Sequence, residues 1–421
     1  SVDWYFKNFY PNYFSIERFS EASGHYYALA KIMRVHIMQI IASMQGPLPY
    51  TKVESGQYSV GYDSEETAWK AMIDDLNYSI DVLTSLMNTD PSFNELTTED
   101  RIYQGDYKKW IKFANSLKLR IAIRISNAVP EYAQEIAEKA VAHPYGVMDS
   151  NDCDAYDNIG STNFKNGLAS VNSWGEVRAN ACIVSFMNGY GDPRREAYFT
   201  KTTVSPEYEY LGVRSGISGI TTGMFSTYST VKVETKTPML IFNAAEVAFL
   251  RAEGALKGWT MGGTAEEFYK KGIQLSFNEH SISGADTYIA NSVNVPADYI
   301  CPLNSAYNYT NPCKLPVAWN PATTTSAKEE NLERILTQKM IANFPIGNET
   351  WADFRRTGYP AVFPAYDNLS TQGVTKERQQ RRLRFSEDEY ASNGDNVTEA
   401  CSFLSNGQDT DATDLWWAKK N

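Results

Sequence analysis

Residues 245–254 read AEVAFLRAEG, and residues 267–276 read EFYKKGIQLS. Both segments place apolar or small residues at spacings of three and four, which is the pattern of an amphipathic helix. Pro238 stands ahead of the first segment and Gly258 behind it, and these residue types commonly mark the start and the end of a helix. The pattern therefore predicts a helical hairpin over residues 238–280.

The same periodicity returns in three other parts of the chain. Residues 17–45 carry a long apolar stripe, and a second helix begins at Ser64. Ser64 and Asp106 are residue types that favour the N-cap position, and Pro130 suits the first turn of a helix. The sequence thus predicts four helical hairpins, near residues 17–87, 106–142, 238–280 and 329–357.

The remaining segments lack a helical period. Residues 144–236 are rich in Gly, Asn, Ser, Asp and Tyr, and residues 281–325 contain five prolines. These compositions indicate long ordered loops, with only short strand-like pieces such as residues 229–235. We predict an all-α dominated fold for a single domain of residues 1–421. In it, four degenerate tetratricopeptide-like helical hairpins pack against a long-loop-rich region with minor β-structure. A miscellaneous α-rich domain is the alternative.

Composition favours binding over catalysis. The 421 residues carry 39 Lys and Arg against 50 Asp and Glu, a net charge of -11, which argues against a nucleic-acid ligand. The 27 Tyr and 9 Trp suit recognition surfaces, whereas 4 His leave few general bases. Five cysteines form no metal-binding pattern. Cys301 and Cys313 flank a loop and could form a disulfide, with buried free thiols as the alternative reading.

No catalytic motif is present, because the chain lacks HExxH, GxSxG and P-loop patterns. Glu349 and Asp353 lie four residues apart on one predicted helix rather than on opposed walls, so we interpret them as a solvated face.

We predict no cofactor. Calcium is the alternative, because two acidic segments offer oxygen ligands, although a solvated loop is the simpler interpretation of each. These segments contain Asp149, Asn151, Asp152, Asp154 and Asp157, and Asp409, Asp411 and Asp414.

Several segments carry a family resemblance. The hairpin quoted above is similar to an AEv-fl-AE…Y-kGI--S pattern. Residues 335–342, ILTQKMIA, followed by residues 349–360, ETWADFRRTGYP, resemble a QKw-a…EaW-d-RRTGyP signature. Residues 381–385, RRLRF, and the pair Trp416–Trp417 are similar to the end of the same pattern, with Ser386 in place of Pro. Over nearly its whole length the chain resembles the SusD-like (RagB/SusD) outer-membrane nutrient-binding lipoproteins of Bacteroidetes.

The resemblance implies a cell-surface protein that binds a glycan and delivers it to a SusC-like TonB-dependent outer-membrane transporter, without turnover. It also implies a position on the extracellular face of the outer membrane. Attachment there would use an N-terminal lipid anchor that is absent from this chain. The alternatives are a peptide-binding member of the family, a tetratricopeptide-type protein-interaction scaffold and a glycoside hydrolase.

The signature near residue 350 has the residue types that a helix cap needs, and we interpret it as structural. We expect Asn348 to cap the last helix and Trp351 to pack inward. Arg355 and Arg356 would lie at the C-terminal end of that helix, where cations offset the dipole.

Aromatic residues in the loops are the candidate ligand contacts. Sugar rings expose C–H faces that stack on aromatic rings, while amide and charged side chains bind the hydroxyl groups. The resemblance implies that loops between the repeats make the ligand platform. The candidates are Trp174, Asn304, Tyr307, Tyr309 and Trp319, and we expect both indoles to be exposed. Packing within the loops is the alternative for each ring, and Tyr50, Tyr58 and Tyr62 are a second place to seek the platform.

Overall fold

The computed structural model describes residues 2–204, 208–221 and 223–418, with side chains from residue 6 onward. Residues 205–207 and 222, within the predicted loop region, lie outside the described residues. The chain divides into two compact units. The first unit contains residues 1–148, 355–357 and 370–421, and the second contains residues 149–354 and 358–369. This division does not test the single domain expected over residues 1–421, which stays a prediction.

Most of the regular structure in the described residues is helical, as predicted. In chain order the helices are α1 (Val2–Phe19), α2 (Gly24–Gln45), α3 (Glu65–Thr89), α4 (Tyr107–Ile125), α5 (Pro130–Ala142), α6 (Gly167–Ser173), α7 (Ala181–Tyr190), α8 (Arg195–Tyr198), α9 (Ala244–Leu256), α10 (Ala265–Glu279), α11 (Ala285–Ile289), α12 (Thr325–Ala342), α13 (Gly347–Thr357) and α14 (Glu387–Ser402). Two short strands, β1 (Ala155–Asp157) and β2 (Met239–Phe242), pair antiparallel.

The first unit contains the first two predicted hairpins, and both are confirmed. Helix α2 packs against α3 and α4 against α5, and α3 also packs against α4. Ser64 and Asp106 act as the predicted N-caps, accepting hydrogen bonds from the backbone N–H groups of Thr67 (3.2 Å) and Lys109 (3.1 Å). The apolar faces are largely buried, and Trp69, near the start of α3, is completely so. Burying one such large side chain stabilises the fold by about 1.5–3 kcal/mol.

The single helix expected over residues 17–45 is wrong at its N-terminal end. Helix α1, which was not predicted, ends at Phe19, and α2 begins only at Gly24. Glu21 and Ala22 have φ values of 52° and Gly24 has 73°. This left-handed turn interrupts the helix, and Gly24 adopts its part of the turn at no steric cost. The apolar spacing continues across the turn and so conceals it.

The second unit is built around α9 and α10, which form the hairpin predicted from residues 238–280. Gly272 is required at their contact, because a Cβ atom there would lie 2.7 Å from the ring of Phe249. The predicted helix start at Pro238 is wrong. The next residues form β2, and α9 begins at Ala244 after the N-cap Asn243. A short apolar run such as MLIF suits a strand as well as a helix.

The predicted loop regions contain more helix than expected. Helix α7 begins after Asn180, whose side chain accepts from the N–H of Cys182 at 2.8 Å, and ends at Tyr190, where Gly191 with φ 64° forms the C-cap. The strand-like residues 229–235 belong to neither strand. Val231 forms an isolated bridge with Phe199, and the N–H of Ser229 donates to the carbonyl of Leu211 at 3.0 Å. Helices α6, α8 and α11 were also missed, because helices of four to seven residues show too few turns for a period to be recognised.

Helix α14, near the end of the chain, was not predicted either. It begins after Ser386, whose hydroxyl accepts from the N–H of Glu389 at 3.3 Å. This residue, which departs from the proline of the family pattern, is therefore an N-cap.

The fourth predicted hairpin is present as two consecutive helices, but α12 packs chiefly against α9. Lys339 of α12 forms buried ion pairs with Asp353 of α13 (2.8 Å) and with Glu246 of α9 (3.6 Å). Glu349 and Asp353 are 1% and 3% exposed, so their interpretation as a solvated face is wrong. The ammonium group of Lys339 pairs with the carboxylate of Asp353 and offsets part of the cost of its desolvation.

The expected cap of α13 is wrong. The helix starts at Gly347, and Asn348 donates a side-chain hydrogen bond to Glu349 (3.2 Å) instead of accepting from the backbone. Trp351 is half-buried, so it packs inward only in part.

Arg355 and Arg356 of α13 are buried in the first unit. The guanidinium of Arg355 lies 5.1 Å from the ring centroid of Trp417 and donates to the carbonyl of Arg381 at 3.0 Å. Arg381 returns a hydrogen bond to the carbonyl of Arg355 at 2.7 Å. The family signature thus has structural contacts in this chain.

Candidate functional site

The five predicted site residues lie in the second unit but in different surroundings. Trp174, at the end of α6, is 64% exposed. Trp319 is half-buried rather than exposed, because its ring packs 5.3 Å from that of Tyr269 of α10. Asn304 is exposed, but its side chain accepts from the N–H of Ala306 at 3.0 Å and so caps a short helical turn. Tyr307 and Tyr309 are both half-buried.

The structure brings Tyr307 and Tyr309 into one aromatic group. The ring of Tyr307 lies 4.9 Å from that of Tyr366, edge to face at 88°, and 6.5 Å from that of Phe225. The ring of Tyr309 lies 4.7 Å from that of Phe363. Edge-to-face and tilted pairs at these distances are favourable, by about 0.5–1.5 kcal/mol beyond burial. We call these five rings together with Arg214 the Tyr307 cluster.

Arg214 connects the parts of the Tyr307 cluster. Its guanidinium lies 4.8 Å from the ring centroid of Tyr309 and 5.4 Å from that of Tyr366. It also donates to the carbonyls of Pro364 (3.0 Å) and Tyr307 (3.4 Å). Burial lowers the pKa of Arg214 from its usual value, while the neighbouring tyrosines, Tyr309 first, act in the opposite direction. The negative faces of the rings thus help to stabilise a cation that is only 8% exposed.

Backbone hydrogen bonds fix the loop that carries Tyr309. Tyr299 and Tyr309 exchange two of them, at 2.9 and 3.0 Å. The side chain of Asn308 accepts from the N–H of Cys301 at 2.8 Å, and Asp298 accepts from the N–H of Asn311 at 2.9 Å. The loop is therefore held in place before any ligand arrives, which lowers the entropic cost of binding.

The segment that carries Tyr366 is fixed in the same way. The N–H of Tyr366 donates to the carbonyl of Ser215 (2.9 Å), and the N–H of Asp367 donates to that of Gly216 (3.0 Å). Gly216 has φ 82°, and a Cβ atom there would lie 2.7 Å from the Cβ of Ala365. Glycine is therefore needed for the close approach of the two segments.

Arg214, Phe225, Phe363 and Tyr366 were missed in the sequence. Tyr366 meets the same criterion as Tyr307, an aromatic residue in a proline-containing stretch without a helical period, so that signal could have found it. Arg214 offers no comparable signal, because only the folded chain places its guanidinium beside the rings.

The two cysteines considered for a disulfide are not joined. Cys301 and Cys313 are both buried free thiols, so they are not joined as a disulfide. The hydroxyl of Tyr228 lies 3.4 Å from the sulfur of Cys301. Burial raises the pKa of Cys313 to about 12, which keeps this thiol protonated and unreactive at neutral pH.

The acidic residues considered as calcium ligands bind other groups of the protein. Asp154 accepts from the N–H of Ala244 at 2.7 Å, at the start of α9. Asp409 pairs with Arg382, and Asp414 pairs with Arg381 at 2.7 Å. Among the described residues, no group of three or more His, Cys, Asp or Glu side chains is placed to hold a metal ion. The cofactor expectation stays a prediction.

A buried carboxyl lies at the end of α10. Glu279 accepts hydrogen bonds from the hydroxyl of Tyr156 and from the side chain of Asn243 (3.1 Å). Burial raises its pKa to about 8, with a further contribution from the charge of Asp154. Burial likewise raises the pKa of Asp154 to about 6. The two groups connect β1 with the ends of α9 and α10.

Comparison with known proteins places the chain in a family. A family model described as SusD-like, Susd and RagB outer membrane lipoprotein, matches residues 2–418. A solved SusD-like protein from Bacteroides thetaiotaomicron is 47% identical with a TM-score of 0.94, over 98% of this chain and 85% of that chain. A chitin-binding SusD homologue from Flavobacterium johnsoniae is 37% identical with a TM-score of 0.94, over 100% of this chain and 86% of that chain.

A third solved structure, a SusD homologue from Bacteroides uniformis, is 39% identical with a TM-score of 0.89, over 98% of this chain and 85% of that chain. A search of curated proteins gave no match. Within the described residues, none of the helices has the length and hydropathy of a transmembrane span. The match across the whole chain and the shared fold agree with the sequence signature, and the chain belongs to the SusD-like family of outer membrane lipoproteins.

Proposed function

We propose that this protein binds a glycan at the cell surface and delivers it, chemically unchanged, to a SusC-like TonB-dependent transporter. The Tyr307 cluster carries the proposal, because three tyrosines and a buried cation are fixed together in loops outside the helical hairpins. One relative of the same fold is described as chitin-binding, which supports a glycan as the ligand class.

The chemistry of the cluster suits a sugar. The rings of Tyr307, Tyr309 and Tyr366 are each half-buried, so part of each remains available to the C–H face of a sugar ring. Their hydroxyl groups can donate or accept hydrogen bonds at the edge of the same surface. We propose Trp174 and Trp319 as additional contacts, with Trp174 the more accessible ring. Asn304 stays a proposed contact, although its side-chain oxygen already caps a turn.

The proposal excludes turnover. The acid pair considered for glycoside hydrolysis, Glu349 and Asp353, is buried, and Asp353 is paired with Lys339, whereas hydrolysis needs two carboxyls that reach opposite sides of a glycosidic bond. Incubating the protein with each glycan that it binds should release no reducing sugar. Any release above that from a boiled sample would contradict the proposal.

A glycan array with a parallel peptide panel tests the ligand class. We expect a glycan to bind. Tyr309→Ala should weaken that binding by at least about tenfold, as the loss of an aromatic anchor commonly does. Phe164→Ala is the matched control, because Phe164 is 60% exposed in the same unit but lies outside the cluster. Binding to peptides alone would identify a peptide-binding member of the family.

We further propose that an N-terminal lipid anchor holds the mature protein on the extracellular face of the outer membrane, next to its transporter. Family membership supports this. Mild detergent extraction of outer membranes, followed by purification of the full-length lipoprotein, should recover a large β-barrel partner. Repeated recovery of the lipoprotein alone would count against the transporter.

A further inference from the structure

A cleft of about 1030 Å³ lies within the first unit, apart from the residues of the Tyr307 cluster. Its walls are one face of α1, the loop of residues 49–62 and the first half of α14. A smaller recess of about 380 Å³ shares Phe14, Val53 and Glu54 with it. The volume is at the upper end of the usual range for small-molecule sites, about 300–1,000 Å³, so the cleft has room for several sugar rings.

The loop wall is fixed at both ends. At its start, the carboxylate of Asp63 accepts from the N–H groups of Tyr50 (3.0 Å) and Thr51 (2.6 Å). At its far end, Ser59 donates to the side chain of Asn393 (2.6 Å), which in turn donates to the carbonyl of Val60 (2.9 Å). The loop therefore holds its shape against α14, as a preformed site requires.

The wall formed by α1 is fixed through a buried cation. The guanidinium of Arg34 lies 5.6 Å from the ring centroid of Tyr10, 5.1 Å from that of Tyr13 and 4.0 Å from that of Tyr50. Arg34 also pairs with Asp75 of α3 at 3.3 Å. These contacts join α1 to α2 and α3, so the third wall is as well fixed as the other two.

The lining combines aromatic and polar groups of both charges. Tyr58, on the loop, is fully exposed to solvent. Burying such a ring is favourable, so a ligand that covers it would gain binding energy. Phe14 of α1 is half-buried, and Arg18 of the same helix is exposed. The acidic side chains Glu54 and Asp388 line the other walls. Because neither sign of charge dominates, the cleft does not favour a charged ligand.

We propose that this cleft is a second glycan site, which binds a neutral oligosaccharide against Tyr58 and Phe14. The inference rests on the proposed function, since it takes the same class of ligand to a different surface. An exposed ring provides the stacking face for a sugar, and the charged side chains around it provide hydrogen bonds to hydroxyl groups.

Isothermal titration with three tetrasaccharides, chitotetraose, cellotetraose and maltotetraose, tests the cleft. We expect two molecules of at least one of them to bind per chain. Tyr58→Ala should leave one, and Tyr309→Ala should leave the other. Phe19→Ala is the matched control, because Phe19 is 79% exposed on α1 but does not line the cleft, and this variant should keep both sites. Melting curves will confirm that each variant is folded.

The outcomes separate this inference from the proposed function. Loss of all binding in Tyr58→Ala with no change in Tyr309→Ala would support the cleft and contradict the Tyr307 cluster. A single bound molecule that Tyr309→Ala removes and Tyr58→Ala does not affect would overturn the cleft, and so would the failure of all three tetrasaccharides to bind. Binding of peptides that Tyr58→Ala abolishes would overturn the ligand class. A crystal structure with the bound tetrasaccharide, ordered beside Tyr58 or not, decides the case in which Tyr309→Ala does not fold.

Discussion

The helical hairpins of the first unit and the Tyr307 cluster of the second both bury aromatic rings, but by different means. In α3, Trp69 is buried by a continuous apolar face that repeats every three or four residues. In the cluster, Tyr307 and Tyr309 are held by contacts with Arg214 and by backbone hydrogen bonds within their loop, two of which join Tyr309 to Tyr299. Changes in the hairpins should therefore alter stability, whereas changes in the cluster should alter binding.

The largest expected effect is on the hairpins. Trp69→Ala should lower the free energy of unfolding by about 3–5 kcal/mol, because it leaves a cavity in a fully buried site. Chemical denaturation measures this directly. Trp174→Ala is the matched control, and because Trp174 is exposed it should change stability by no more than about 0.5 kcal/mol. Equal losses in the two variants would remove the distinction between framework and loop.

Arg355→Ala comes next. The guanidinium is fully buried, lies 5.1 Å from the ring centroid of Trp417 and donates to the carbonyl of Arg381. Losing these contacts should cost about 1.5–3 kcal/mol of stability without a selective loss of glycan affinity. Arg355→Lys should recover only part of the loss, because a compact ammonium group cannot reproduce the several contacts of a planar guanidinium. Normal melting with lost binding would instead place this residue at the ligand.

In the cluster, Tyr307→Ala should show the reverse behaviour. We expect a loss of about 2 kcal/mol in glycan binding, which is roughly thirtyfold in affinity, with a smaller change in melting than Trp69→Ala gives. Arg214→Met removes the cation that connects the segments and should weaken binding in the same direction. Titration calorimetry beside a melting curve separates the two effects. A variant that melts early and binds normally would assign the cluster to loop packing.

The smallest expected effect is a pH dependence of the framework. Glu279 has a pKa of about 8 in the folded protein, against 4.5 for an unperturbed carboxyl. Because its pKa is higher in the folded than in the unfolded chain, Glu279 stabilises the fold most below pH 4.5. This contribution to stability is lost as the pH rises through 8. Between pH 6.5 and 8 the free energy of unfolding should fall by up to about 1.4 kcal/mol per pH unit.

In this pH range, two neighbouring titratable groups contribute little to the change in stability. Asp154, with a pKa of about 6, has lost most of its contribution by pH 6.5. Burial lowers the pKa of His280 from 6.5 to about 4, so its stabilising contribution is lost only as the pH falls from 6.5. Glu279→Gln should flatten the slope. Glycan affinity should not change with pH over this range, because the Tyr307 cluster contains no carboxyl group. If the stability of Glu279→Gln falls with pH as steeply as that of the unchanged protein, Glu279 is not the responsible group.

The sequence predicted the helix positions that apolar periodicity and capping residues determine. Ser64, Asp106 and Pro130 begin helices where expected, because a helix start depends on a few adjacent residues. The turn at Glu21 and Ala22 was missed, since a left-handed turn leaves the apolar spacing unchanged. The buried pair of Lys339 and Asp353 was missed as well, because its partners meet only in the folded chain.

For the candidate site, the sequence predicted the aromatic residue type and the loop that carries it, but not which rings lie together. Tyr307 and Tyr309 share a cluster, whereas Trp319 packs against Tyr269 of α10. Tyr366 joins the cluster from a segment more than fifty residues away. Such a grouping depends on backbone contacts between loops, for which composition gives no signal.

The most direct measurement of the central claim is a crystal structure of the protein with the glycan that the array selects. Our account predicts an ordered sugar ring stacked on Tyr307, Tyr309 or Tyr366, with the loop backbone unchanged from the free protein. A glycan ordered elsewhere in the second unit, with all three rings free of contact, would contradict it.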